Sequence, residues 1–306
     1  MPETNLLRST ALTNSDYSSV LQVMQARAAL GEPTLSFEFF PPKDEASEVT
    51  LRNSFAELMK VSPDYVSVTY GAGGSNRERS LSVVDFMARE VLTIGHLTCV
   101  GASRARTEEI VKRFEAAKVG AILAIRGDSP KDNPEALQIG ELKSALDLVK
   151  IVRKSTELPV GVGAYPEVHP ESPDMQHDAK VLQLKQAAGA SFAVTQLFFS
   201  LEAYLRLIEA AKKAGATLPI VPGLMPVANA KQVMRMAELS GAEIPAELLA
   251  KFENAADDAE ARRIGMDYTI ALAKNLLAAG APGLHIFSLN THVAALELAR
   301  GAGLCR

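Results

Sequence analysis

The chain has 306 residues, 47% of them hydrophobic and 22% charged, which is ordinary globular composition with enough length for one large core. Its 32 basic and 36 acidic residues leave a formal net charge of −4, so no basic face is on offer to a phosphate backbone or an acidic lipid surface. Two cysteines, Cys99 in an apolar run and Cys305 near the end, make no disulfide framework. The first thirty residues carry neither a signal-peptide pattern nor a long apolar stretch. The expectation is a cytoplasmic protein with neither nucleic acid nor membrane as partner.

In chain order, a helix is predicted over Asp16–Ala29, within an N-terminal extension ending near residue 33. Short apolar, β-branched runs then alternate with segments of helical spacing. The strand candidates are Leu35–Phe40, Tyr65–Tyr70, Ile94–Val100, Ala121–Arg126, Val160–Tyr165, Phe192–Phe199, Ile220–Leu224 and Leu284–Leu289, eight in all. Between them lie helical patterns over Val49–Met59, Arg77–Glu90, Thr107–Ala117, Glu141–Arg153, Met175–Ala188 and Leu201–Ala214. A longer helical stretch follows from Asn229 to Ala279, with an extra pair around Pro245–Lys274, and Val293–Arg300 closes the series. Strand and helix repeated eight times predict a single (β/α)8 TIM barrel, an α/β fold, rather than an open doubly wound sheet.

Active sites of such barrels form at the carboxyl ends of the strands, and the polar residues there are the candidates. The first strand holds Glu38 in Ser36-Phe37-Glu38-Phe39-Phe40-Pro41-Pro42. Alternation places Ser36, Glu38 and Phe40 on one face, and a carboxylate suits the lumen better than the helix layer. Burial beside aromatic rings is expected to raise its pKa and keep a proton available, as a general acid requires. The alternative is a structural Glu held by an Arg or a lumen hydroxyl. On the second strand Thr69 is expected to hydrogen-bond Glu38. The glycines after it, Gly71 to Gly74, either cradle phosphate or merely turn the chain.

The third strand brings His96 and Thr98 to one face, His96 being either a buried structural histidine or a cofactor contact. The fourth changes from apolar to Arg126-Gly127-Asp128 where a ligand would sit, with a surface Arg126–Asp128 pair as the alternative. The fifth runs into Tyr165-Pro166-Glu167-Val168-His169-Pro170, a proline-stiffened polar rim. The sixth ends in Thr195-Gln196, whose amide suits the edge of a heterocycle. Pro222-Gly223-Leu224-Met225-Pro226 on the seventh shapes a pocket without performing chemistry.

These motifs, in this order and spacing from about Leu35 to Asn290, resemble the methylenetetrahydrofolate reductase family, in its short bacterial form without a regulatory extension. The resemblance implies a non-covalent FAD, reduced by NADH or NADPH, that passes a hydride to 5,10-methylenetetrahydrofolate to give 5-methyltetrahydrofolate in methionine supply. It implies that Glu38 is the acid, that Thr69 supports it and that Asp128 tunes the flavin. Flavin contacts would come from Thr69, His96, Arg126, Gly127, Asp128, Tyr165, His169, Asp178 and Lys185, with Arg126 and Lys185 suited to the pyrophosphate. Folate contacts would come from Glu38, Gln196, Met236 and Leu289. A homo-oligomer is expected, and no metal.

The chain departs from relatives at Ser144, Val181 and Leu184, where flavin contacts can occur, and at Met236 and Phe287, where an aromatic ring can stand. A flavin-free variant with direct hydride transfer is the alternative. On the bare residues, Glu38, Asp128 and Glu167 also admit a glycoside hydrolase, against which the absence of tryptophan counts. His96, His169 and His285 admit a metal hydrolase, but no metal-binding spacing joins them.

Overall fold

All the strands run parallel, and each is reached by a helical crossover except at one proline. The computed structural model describes residues 16–70, 74–127 and 135–305. Its strands are β1 (Thr34–Phe39), β2 (Tyr65–Val68), β3 (Thr93–Thr98), β4 (Ala121–Ile125), β5 (Val160–Ala164), β6 (Ala190–Thr195), β7 (Ile220–Val221), β8 (Gly223–Leu224) and β9 (Gly283–Phe287). They hydrogen-bond in the order β7-β6-β5-β4-β3-β2-β1-β9-β8.

β7 and β8 are two halves of the single run predicted as Ile220–Leu224, broken at Pro222, which has no N–H to give to a ladder. Before the proline the chain pairs with β6, through Ala193↔Ile220 and Val194↔Val221. After it the chain pairs with β9, through Gly223↔His285 and Leu224↔Ile286. The Pro222 carbonyl accepts from the His285 amide at 3.0 Å, and the Gly223 amide donates to Thr195 Oγ1 at 2.9 Å. The change of partner closes the sheet into a ring, and the predicted (β/α)8 barrel stands.

The helices are α1 (Val20–Ala29), α2 (Glu45–Met59), α3 (Gly74–Met87), α4 (Arg104–Ala116), α5 (Ala136–Ile139), α6 (Ala145–Ser155), α7 (Met175–Ala187), α8 (Leu201–Lys213), α9 (Ala230–Ser240), α10 (Ala246–Glu253), α11 (Asp258–Ala278) and α12 (Val293–Gly301). Short polar side chains fix where most of them begin. Asp44, Ser103, Ser144, Asp174, Ser200, Asn229 and Asp257 each accept from an amide of the first turn, satisfying a donor that has no helical partner. The stretch predicted as one long helical region is α9, α10 and α11.

Strand alternation divides the core in two. Leu35, Phe37 and Phe39 of β1 point outward with Val66, Val68, Leu97 and Ala124 into the layer beneath the helices. The inward residues Tyr65, Ile94, Ala121, Leu123, Phe192, Val194 and Val221 fill the amino end of the barrel together with Val20 and Met24 of α1. Gly161 of β5 is also inward, and a Cβ there would lie 2.4 Å from the Phe192 ring. One large side chain thus occupies the space of two positions.

The extra N-terminal helix plugs the base of the barrel. Its Arg27, 2% exposed, donates from Nε to Asp64 Oδ1 at 3.0 Å and from Nη1 to Glu32 Oε2 at 2.6 Å. Asp64 also accepts from the Leu35 amide at 2.8 Å, so one carboxylate ties the plug to the start of β1. Arg27→Met leaves that carboxylate buried without its cation and is expected to cost about 3–5 kcal/mol. Urea unfolding reads the loss directly, and a change below about 1 kcal/mol would show that the plug contributes little.

Candidate active site

Above the apolar plug the lumen turns polar, and β1, β2, β3 and β9 supply the groups. Glu38, 7% exposed, sits opposite Ser67 on β2 and Phe287 on β9. Its Oε2 lies 3.2 Å from His285 Nε2 and 3.6 Å from His96 Nε2. On its other side the His285 ring lies 2.8 Å, by Nδ1, from Ser36 Oγ, while Ser67 Oγ is 3.3 Å from Nε2. His285 is fully buried, with the Phe287 ring edge-on at 5.6 Å.

This layer corrects two expectations. Phe37 and Phe39 flank Glu38 in sequence but face the helix layer, so the carboxylate meets two imidazoles and the Ser67 hydroxyl in place of those two rings. Burial raises its pKa and is the largest single influence. The hydrogen bond to His285, the charges of His96 and His285 and the Ser67 hydroxyl together outweigh burial, and the net direction is down. The partners of the carboxylate are His285 and Ser67; Thr69, expected to support it, follows β2 half-buried and donates its backbone amide to Phe39 O at 2.9 Å.

Burial pushes His96 down to about 4, the attraction of Glu38 being too weak to offset it. Near neutrality His96 is therefore an uncharged imidazole. Its Nε2 makes no hydrogen bond among the described residues, a buried polar atom that suits a ligand. His285 was weighed in the sequence only as a metal ligand. A polar residue on an inward position of the last strand was the available signal, but its partner lies 247 residues away.

The backbone of Glu38 is clamped from the end of β9. Ser288 Oγ donates to Glu38 O at 2.6 Å. Asn290 both accepts from the Phe40 amide and donates to the Phe40 carbonyl, each at 2.9 Å. Leu289 and Asn290 hold φ values of 51° and 56°, a left-handed region that side chains enter at a cost. The turn pins the acid's strand and places Leu289 at the mouth.

A second group of candidates forms a cleft of about 330 Å³ beside β4 and β5, lined among others by Arg126, Ser144, Tyr165, His169, Asp178 and Lys185. Lys185 of α7 is half-buried, and desolvation pulls its pKa down against the opposing field of Asp178. Its Nζ lies 3.4 Å from Gly163 O. Arg126 forms a two-armed ion pair with Glu171, one arm at 2.8 Å. Asp178 accepts from the His169 amide at 2.8 Å and from Ser172 Oγ, and the Tyr165 and His169 rings meet edge to face at 4.6 Å. Gly127 has a φ of +77°, and a Cβ there would press on Thr98 and Val100 at 3.0 Å, so glycine is required. Ser144 caps α6, Val181 lines the cleft and Leu184 is exposed. Asp128 and Gly71–Gly73 lie outside the described residues.

A third surface completes the mouth. Leu197 and Phe199 follow β6, which ends at Thr195 and not at the predicted Phe199, and they pack with Met225, Val227 and Val233. Met236, Phe287 and Leu289 lie against this apolar group. Gln196 is exposed beside it, with Oε1 accepting from the Leu197 amide at 2.8 Å. Glu167, expected on the rim, accepts from the Glu243 amide at 3.1 Å.

The comparisons with known proteins agree in kind. The family model described as methylenetetrahydrofolate reductase matches residues 23–303. The 5,10-methylenetetrahydrofolate reductases of Salmonella typhimurium and Escherichia coli are each 36% identical over 265 residues, covering 85% of this chain and 87% of those proteins. Methylenetetrahydrofolate reductase (NADH) 1 of Arabidopsis thaliana is 33% identical over 289 residues, which is 90% of this chain and 49% of the plant protein. Among solved structures, an uncharacterized Clostridium thermocellum protein that binds two copies of 5-methyl-5,6,7,8-tetrahydrofolic acid superposes with a TM-score of 0.63 at 16% identity. That match covers 92% of this chain and 98% of that one, a likeness of fold.

The buried histidine gives the site a signature in stability. His96 titrates at about 4 when folded against 6.5 for an unperturbed histidine, so between those values the unfolded chain binds the extra proton. Stability then falls as pH drops from 6.5 toward 4, by up to about 1.4 kcal/mol per unit. Glu38, also held low, adds a loss in the same direction at more acidic pH. His96→Asn is expected to flatten the slope in urea-unfolding free energies between about pH 6.5 and pH 5. A slope that survived the substitution would put the proton uptake elsewhere.

Proposed function

Since the chain belongs to the methylenetetrahydrofolate reductase family, we propose that it reduces 5,10-methylenetetrahydrofolate to 5-methyltetrahydrofolate with NADH or NADPH as donor and a non-covalently bound FAD between them. The observation that carries the reading is Glu38, a buried acid inside the barrel, opposite Phe287, which lies against an apolar group adjoined by the exposed Gln196. A single catalytic unit working in the cytoplasm as a homo-oligomer belongs to the same reading.

The residues present fit the flavin. A half-buried ammonium and a guanidinium, Lys185 and Arg126, line one cleft, and a diphosphate is the dinucleotide part that calls for such a pair. Binding would require the phosphate to replace Glu171 on Arg126, one anion for another. Tyr165, His169 and Asp178 would contact the adjoining groups, while Thr69, His96 and Gly127, together with Asp128, which lies outside the described residues, would contact the ring system. When bound, FAD supplies a two-electron carrier that takes a hydride from the nicotinamide and gives it to the folate.

The chain's own residues do the rest. A methylene bridge held between two nitrogens is a poor hydride acceptor until one carbon–nitrogen bond opens and an iminium forms. Glu38 donates the proton to the departing nitrogen, which makes the opening possible. Gln196 pairs with the amide edge of the pterin, and Met236 and Leu289 bear on its apolar faces. The closed base of the barrel, filled by Val20, Met24 and their neighbours, leaves the mouth as the route by which the donor and the folate arrive in turn.

Three measurements test this. Purified protein is expected to be yellow and to bleach anaerobically on addition of NADH or NADPH; a colourless, folded preparation that still reduces the folate would favour direct transfer from the nicotinamide. Lys185→Met is expected to weaken flavin binding by roughly tenfold or more, the scale of one lost charge-assisted contact, read by fluorescence titration. Glu38→Gln is expected to keep nicotinamide-driven bleaching and to lose folate reduction by roughly 10²–10⁴-fold. If both half-reactions survived that change, Glu38 would not be the acid.

A further inference from the structure

The lumen poses a question that the acid role of Glu38 leaves open. Its carboxylate is drawn toward ionisation by its neighbours, yet the reaction needs it protonated. The groups facing it are the imidazoles of His285 on β9 and His96 on β3 and the hydroxyl of Ser67 on β2. Of the two imidazoles, His285 is in hydrogen-bonding contact at 3.2 Å, while His96 stands at 3.6 Å and is kept neutral by burial.

The second nitrogen of His285 has a partner able to accept from it. Ser36 Oγ lies 3.2 Å from the Leu284 carbonyl, which can only accept, so the single hydroxyl proton has a place to go. The oxygen of Ser36 is then free to accept from His285 Nδ1 at 2.8 Å. With Nδ1 carrying a proton, Nε2 presents a lone pair to Glu38 Oε2 and to the Ser67 hydroxyl 3.3 Å away, unless one more proton lies between Nε2 and Oε2. Two lone pairs at 3.2 Å in a buried site repel. A proton held between them turns that repulsion into a hydrogen bond.

We propose that His285 is the proton-holding residue of the site: it and Glu38 keep one proton between Nε2 and Oε2, and His285 returns it to the carboxylate for delivery. The inference rests on the folate-reductase reading. In the step, the His285 Nε2–H bond breaks as the Glu38 Oε2–H bond forms. That O–H bond then breaks as an N–H bond forms on the departing folate nitrogen. No electrons leave the pair, which ends as a carboxylate beside a neutral imidazole and takes one proton from water before the next turnover. His285 acts through Glu38 and is a positioning residue. Ser36 fixes its tautomer, and the register Ser36↔His285 between the first and last strands holds the three groups in line.

Two independent measurements decide it. In the first, the pH profile of folate reduction by pre-reduced enzyme is compared between wild type, His285→Gln and Ser36→Ala. Glutamine holds no proton, so the alkaline limb of His285→Gln is expected to move about one unit or more to lower pH, with a rate near pH 8 roughly tenfold or more below that of wild type. Ser36→Ala is expected to shift the limb in the same direction by less. A limb that stays in place in a folded His285→Gln protein overturns the inference.

In the second, nitrogen-15 NMR of the imidazoles in the wild-type protein reads the tautomer without any turnover and does not depend on a variant folding. A protonated Nδ1 on His285 near neutral pH is expected, and an unprotonated Nδ1 overturns the inference. If the wild-type protein fails to reduce the folate while NMR finds Nδ1 protonated, the folate reading falls and the loaded pair stands.

Discussion

Taking a carboxylate out of water is costly unless every lone pair finds a donor, and the upper half of this barrel is arranged around one such group. Glu38 projects inward from the first strand, beside Ser67 and Phe287 on the neighbouring strands, and its carboxylate meets Ser67, His96 and His285. Below them the lumen is apolar and filled; above them it opens. The polar layer runs from Ser36 to Glu38 on β1, above the apolar filling of the base. Chemistry is confined to that depth because packing forbids it lower down and solvent would weaken it higher up.

The remaining candidates sort by position along the mouth. Cationic groups that suit phosphate gather on the β4 and β5 side, where Lys185 and Arg126 share a cleft with Asp178. Apolar groups that suit a flat ring gather on the β6 to β9 side, with Met236, Phe287 and Leu289 against the Phe199 and Met225 cluster. Glu38 and the two histidines stand inside the ring of strands between them. A carrier held on one side and an acceptor on the other would thus meet over the acid, which is the arrangement the proposed reaction asks of the fold.

Much of this was legible from residue order alone, because a parallel barrel repeats two periods that sequence displays openly. All eight predicted strand runs appear, and Glu38 could be placed inward because alternation left two faces and a carboxylate suits the lumen. The overrun of the sixth strand came from its run of Leu197, Phe198 and Phe199, apolar residues that leave the sheet and still find a core. What faced Glu38 was not legible: neighbours in sequence, Phe37 and Phe39, point away from it, and its real companion is set by the pairing of the first strand with the last. The predicted upward shift of the acid failed for that reason. Ser144 read as a lost contact and is a helix cap, since local hydrogen bonding and ligand binding draw on the same residue types.

That pairing of first strand with last has a consequence for the life of the chain. The acid lies at residue 38 and the imidazole that completes it at residue 285, with Asn290 locking the backbone 250 residues from Phe40. Such contacts are the last that a growing chain can form, because loop closure across the whole length must precede them. A nascent polypeptide carrying Glu38, the basal plug and most of the barrel therefore holds the carboxylate with Ser67 and His96 but without His285, whose contact forms only when the final strand emerges from the ribosome and seals the ring.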